Sequence, residues 1–189
     1  MRTHMHLGWF WVLLVGMLCT AHAHNDAYQL VVKIQELEDR KFATQASFKL
    51  PLKSCQAWRY LTDYESSSAI PGVLSAKATR LDRHKAELKL RMEERILFLT
   101  VRMNSVLEFV ELPQQGTDFV QTSGEAKSFQ GSWRIEPNGT DTVFRYHSVF
   151  QPDSALPMVV IKYFFDRRLR SNFAAIAQIG AAQRDQACP

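Results

Sequence analysis

Glycine and proline are scarce, eight and seven among 189 residues, and neither recurs at a fixed period. That excludes a collagen-like chain and a proline-rich linker. Cysteine is scarcer, at three, too few for a disulfide-dense scaffold. Neither charge sign dominates: the net charge is +4 and the pI about 9.1. The excess is mild and spread along the chain, so no nucleic-acid partner is expected. No apolar run reaches the ~20 residues of a membrane-spanning helix. Nucleophile elbow, phosphate-binding loop, zinc-ligand spacing and dinucleotide fingerprint are all missing. No catalytic residue, metal or cofactor is therefore expected. What is present is ordinary globular composition, 46% apolar and 22% charged, in a chain long enough for one domain.

The first segment reads as an address. Arg2 supplies positive charge, Leu7 to Leu18 is almost unbroken apolar sequence, and Ala21-His22-Ala23 puts small residues before a cut preceding His24. These are the parts of a secretory signal. A lipid anchor on Cys19 is disfavoured because the bulky Leu18 precedes it. Residues 1–23 are thus expected to be a signal peptide and 24–189 one mature domain, periplasmic or secreted, with an N-terminal membrane anchor as the alternative. Cleavage leaves Cys55 and Cys188, a disulfide candidate in an oxidising compartment. Two free thiols are the other possibility.

The mature chain alternates as β-sheet over most of its length. Tyr28–Gln35 and Phe42–Leu50 are expected strands. Ser54 is a plausible N-cap for a helix carrying Cys55, Trp58 and Leu61. A second short helix ends at Pro71-Gly72. Strands follow at Val73–Asp82, Ala86–Glu93, Leu99–Leu112, Asp118–Thr122, Lys127–Glu136 and Thr142–Gln151. Glu93-Glu94-Arg95 reads as a solvated hairpin, and Pro137-Asn138-Gly139-Thr140 as a tight turn. Met158, Ile161, Phe165, Leu169, Phe173, Ile176 and Ile179 form one apolar stripe on a long last helix. Grouped strands with separate helices make the class α+β. Such a helix can lie against the inner face of a curved antiparallel sheet, leaving an apolar cavity between them.

Trp58-Arg59-Tyr60-Leu61-Thr62-Asp63-Tyr64-Glu65 with Ile70-Pro71-Gly72 resembles the first-helix signature of the START-like (SRPBCC) superfamily. Gly131-Ser132-Trp133-Arg134-Ile135-Glu136-Pro137 is similar to its G-x-W-x-L-x-P strand, and Leu156-Pro157 to the opening of its last helix. The resemblance runs from about Phe42 to Ala182. Its closest branch is the polyketide cyclase/dehydrase and coenzyme Q-binding group, in its exported bacterial members. It implies a helix-grip fold: a curved antiparallel sheet wrapped around a long C-terminal helix, with two short helices after the first strands. It also implies a hydrophobic small molecule or lipid, such as a quinone, isoprenoid or lipid, bound between sheet and helix. The alternative is a cyclase or dehydratase acting on a hydrophobic substrate.

Within that fold, Met103, Leu107, Phe129, Trp133, Tyr146, Phe165, Leu169 and Phe173 are the candidate ligand-binding residues. His147 and Arg145 share a strand face and read as an outward polar row. Asp63 and Glu65 read as a cap or loop contact. Lys162, Arg167, Arg168 and Arg170 read as a solvated face with snorkelling stems. The same cations could touch an anionic membrane surface weakly. A monomer is expected.

Overall fold

The computed structural model describes residues 28–96, 99–154 and 157–188. The expected signal segment lies outside them. Element order is β1 (Val31–Leu37), β2 (Lys41–Leu50), α1 (Ser54–Thr62), a 3-10 helix (Tyr64–Ala69), β3 (Val73–Asp82), β4 (Lys85–Ile96), β5 (Leu99–Leu112), β6 (Gly116–Gly124), β7 (Ala126–Asn138), β8 (Asp141–Pro152) and α2 (Met158–Ala181). The strands form one eight-stranded antiparallel sheet in the order β1-β2-β8-β7-β6-β5-β4-β3. The sheet is curved, and α2 lies over its inner face: the fold is the expected α+β helix grip.

Local chemistry explains the connections. The β1–β2 hairpin turns on Asp39 and Arg40, both in the left-handed region at φ 56 and 58, which matches the twist of the flanking strands. Gly139 and Thr140 make the tight β7–β8 turn, and Gly139 supplies the positive φ of 64. Ser54 is the first residue of α1 rather than its cap. Lys53 occupies the cap, and its N–H donates to Gln56 Oε1 at 2.8 Å, so Gln56 satisfies the open helix end instead.

Alternation places Thr44, Phe48, Phe144, Ser148, Leu107 and Phe109 on the inner face, all buried. Gly131 shows why that row needs a glycine. A Cβ there would overlap the His147 carbonyl and sit 2.7 Å from Phe119 Cζ, because the Phe119 ring lies over its strand partner. Gly180 plays the same part on α2, where a Cβ would reach 2.6 Å from Leu50 Cδ1 and 2.7 Å from Tyr60 Cε1.

The inner residues form two cores. One joins Phe48, Leu50, Leu52, Ala57, Ile135, Phe144, Phe173 and Ala177, binding α1 and the C-terminal half of α2 to the β1-β2-β8 side. The other joins Tyr64, Ala86, Leu88, Leu107, Phe109 and Phe119 on the β4-β5-β6 side. Trp133 and Tyr146 are half-buried and pack against both.

The C-terminal tail is fastened rather than frayed. Cys55 and Cys188 are joined, with Cα atoms 5.9 Å apart. The buried Gln56 amide donates to the carbonyls of Arg184 and Gln186 at 2.7 and 2.8 Å, and Arg59 donates to that of Ala187 at 2.9 Å.

Candidate functional site

The seam between the two cores is the candidate site. Strand register puts Tyr146 of β8 beside Trp133 of β7, with ring centroids 4.7 Å apart. Phe173 of α2 closes on both, 6.0 Å from Trp133 and 5.1 Å from Tyr146. Toward the other end of α2, Phe165 stacks on Phe42 at 5.0 Å and meets Phe150 at 5.2 Å. Phe150 in turn meets Phe129, and Phe129 meets Phe119. The rings make one connected aromatic wall.

The eight candidate residues therefore do not all stand alike. Trp133, Tyr146 and Phe173 are in ring contact, while Phe129, Phe165 and Leu169 are half-buried around them. Met103 is half-buried on β5, opposite Met92 of β4. Leu107, 4% exposed, belongs to the packed floor of the second core.

Polar groups enter the seam from both sides. Glu94 is in step with Leu88, Leu90 and Met92, so it points inward and its side chain is only 12% exposed. It is part of β4, not of a solvated hairpin: β4 runs on to Ile96, and the parity of its strand carries the carboxylate inside. Arg168 reaches it from α2, Nη2 to Oε2 at 2.6 Å. Arg168 is therefore a tie between helix and sheet as well as one of the solvated row, its side chain 45% exposed. Asn172 lies one turn further along α2, and its Oδ1 is shut away from solvent. Ser105 donates to Gln121 Oε1 at 2.8 Å on the same inner face.

Sequence reasoning passed over Glu94 and Asn172. The signal was periodicity. Glu94 continues the alternation of Leu88, Leu90 and Met92, and Asn172 falls in step with Phe165, Leu169 and Ile176.

Burial raises the Tyr146 hydroxyl pKa above its ordinary value. Tyr60 is raised by burial and by Asp63, while its OH donates to the Ile176 carbonyl at 2.6 Å. Tyr64 is raised by burial and by Glu111, to which it donates at 3.0 Å. Arg80 holds the same Glu111 oxygen at 2.7 Å. All three phenols stay protonated at neutral pH and cannot act as bases there.

Other polar candidates lie elsewhere. Glu65 Oε1 accepts from the Ala78 N–H at 3.1 Å, fixing the 3-10 helix to β3. His147 and Arg145 are exposed on the outer face of β8. There they help line a hollow of about 360 Å³ with Lys33, Gln45 and Ser47. A second hollow of about 270 Å³ adjoins it near Val120, Gln130 and Val149. Both open on the side away from α2. No three His, Cys, Asp or Glu side chains gather as for a metal ion among the described residues.

This geometry accords with the comparison against known families. Residues 50–177 match the family of polyketide cyclase / dehydrase and lipid transport proteins. The chain belongs to that family. Its matched span holds α1, the whole inner face from β3 to β8, and α2 as far as Ala177, so both walls of the seam are family structure. No curated protein matches the chain. Among solved structures it is similar to the STAR-related lipid transfer protein of Xanthomonas axonopodis, at 11% identity and TM-score 0.66, covering 82% of this chain and 99% of that one. It is also similar to the Zhui aromatase/cyclase of Streptomyces sp. R1128, at 10% identity and TM-score 0.62, covering 79% and 99%. A START superfamily protein from Mycobacterium smegmatis gives 12% identity, TM-score 0.59 and coverage of 76% and 97%. At these identities the likeness is one of fold.

Proposed function

We propose that this protein is an exported carrier of a hydrophobic, lipid-like molecule, which it holds in the seam between α2 and the inner face of the sheet. One observation carries the reading. In a family of cyclases and lipid transporters, the inner face beside α2 keeps Leu90, Met92, Met103, Phe129, Trp133 and Tyr146 only half-buried. Apolar side chains at the centre of a sheet normally disappear into the core. Here they keep part of their surface open, and the rings in contact across the seam part to admit a guest.

Trp133, Tyr146, Phe129, Phe165, Leu169 and Phe173 are the proposed walls, with Met103 at the rim and Leu107 as floor. A quinone, isoprenoid or lipid suits such a lining. The signal segment ending at Ala23 would deliver the carrier to the periplasm or outside, the compartment in which the Cys55–Cys188 bond persists. Val159 and Tyr163, 74% and 50% exposed, stand on the outer side of α2 with Arg167 over the Tyr163 ring at 5.4 Å. Arg170 follows on that face. This strip suits a weak docking contact with anionic lipid, where the guest would be collected or released.

The cyclase reading draws on Glu94, inside the seam, and on Arg168, which reaches it from α2 with its side chain 45% exposed. The carrier reading is preferred because they are paired with each other.

Native mass spectrometry of protein purified from its own compartment, followed by organic extraction, tests the proposal. We expect an apolar molecule in stoichiometric amount and a mature chain beginning at His24. A ligand-free protein that also fails to quench its tryptophan fluorescence with added isoprenoid or quinone would overturn it.

A further inference from the structure

Two buried acceptors in the seam lack an aligned donor among the described residues. Asn172 Oδ1 is closed to solvent and meets no hydrogen-bond donor among them. Its position in step with Phe165, Leu169 and Ile176 puts it on the stripe that α2 turns to the sheet. Glu94 Oε2 is 2.6 Å from Arg168 Nη2, yet it too lacks a properly directed hydrogen bond. Arg168 and Asn172 are one helical turn apart and so are neighbours on α2. An orphaned acceptor inside a protein costs stability, and a leucine of similar volume would avoid that cost. Packing alone gives no reason for an amide here; a guest that supplies a donor does.

Resting on the carrier reading above, we propose that Asn172 is the polar anchor of the seam and that the physiological guest is an apolar molecule bearing a hydroxyl group. The hydroxyl donates to Asn172 Oδ1 while the apolar body lies against Trp133, Tyr146 and Phe173. A hydroxyl suits this position because it donates to Oδ1 while its own oxygen keeps lone pairs for a second bond. Molecules that only accept, such as quinones and esters, can take a hydrogen bond from the amide N–H2 yet leave Asn172 Oδ1 unmet, and hydrocarbons meet neither group. The guest class is thereby narrowed to alcohols, phenols or quinols.

Isothermal titration of the full mature chain, with its disulfide intact, tests this with 2-naphthol and with 2-methoxynaphthalene, which keeps the ring and the oxygen but has no donor. We expect Asn172→Leu to weaken 2-naphthol about tenfold, the worth of one hydrogen bond of about 1.4 kcal/mol. The same change should leave the ether within about twofold. The variant should melt at the same temperature as the parent or higher, because it removes an unsatisfied group. Equal losses for both probes, or none for either, overturn the anchor and leave the carrier reading standing. A sharply lowered melting temperature also overturns it, since Asn172 would then be structural. Failure of the parent to bind either probe also overturns the anchor, while the extraction and quenching experiment above decides the carrier reading.

Discussion

The two cores meet the same demand, burial of a sheet face, by different means. On the β1-β2-β8 side, α1, the C-terminal half of α2 and the disulfide-tied tail close the face. Phe48, Leu50, Leu52, Ala57, Phe144 and Ala177 are 0–2% exposed there. On the β4-β5-β6 side, the 3-10 helix covers one end through Tyr64, and the rest of α2 is tied across by the Arg168–Glu94 pair. Leu90 and Met92 stay half-exposed in consequence. The contrast separates the energetics of folding from those of binding. A side closed by apolar packing supplies stability, whereas the other is held in part by an ion pair between an exposed Arg168 and a largely buried Glu94, whose desolvation offsets much of its attraction.

The comparison can be broken most decisively at the tail. The disulfide spans 133 residues, and the chain-entropy model assigns about 4–5 kcal/mol to a loop of that order. Replacing Cys55 and Cys188 together by serine should lower the unfolding free energy read from urea melts by that much. It should also speed hydrogen exchange in α1 and residues 183–188 before it affects β4 or β5. Equal acceleration in both halves would show that the closed side does not owe its rigidity to the fastened tail.

Truncations compare the packing directly. Phe144 stacks on Phe48 at 5.2 Å and is 1% exposed, so Phe144→Ala should cost about 3–5 kcal/mol. Leu90→Ala, at the half-covered seam, should cost about 1 kcal/mol, because its side chain gives up less buried area. Denaturant melts measure both, and matching costs would mean that the seam is as tightly packed as the closed core.

The finest distinction concerns alkaline pH. Tyr60 lies on the closed side, Tyr64 on the other and Tyr146 between them, and burial raises the pKa of each. Up to about pH 10 the unfolded phenols keep their protons, and stability does not depend on these groups. Above that the unfolded chain releases protons that the folded chain retains. Stability should then fall by about 1.4 kcal/mol per pH unit for each tyrosine. Tyr146→Phe should remove one share of that slope in an alkaline urea titration. An unchanged slope would mean that the seam admits water to the Tyr146 hydroxyl.

Much of this was legible in residue order. The alternation of Leu88, Leu90 and Met92, the Pro137–Thr140 turn and the long stripe from Met158 to Ile179 each follow from local periodicity, and each corresponds to an element found in place. The outward placement of His147 and Arg145 followed from strand parity in the same way. The seam's polar groups were harder to see. Charge in Glu93-Glu94-Arg95 suggested solvent, but parity governed Glu94 once β4 continued to Ile96. Arg168 looked like one cation among several until α2 brought it to Glu94. Their pairing is not encoded by neighbours in the chain, because the partners lie on separate elements far apart in sequence.

Sequence alone determined the strand faces, the turns and the amphipathic helix, because these depend on backbone periods of 2 and 3.6 residues that each segment carries in itself. Tertiary structure alone decided that Cys55 would meet Cys188, that the inner face would divide into a closed and a half-open core, and that Glu94, Arg168 and Asn172 would share the seam. Those outcomes depend on where α2 crosses the curved sheet, and no single segment contains that information.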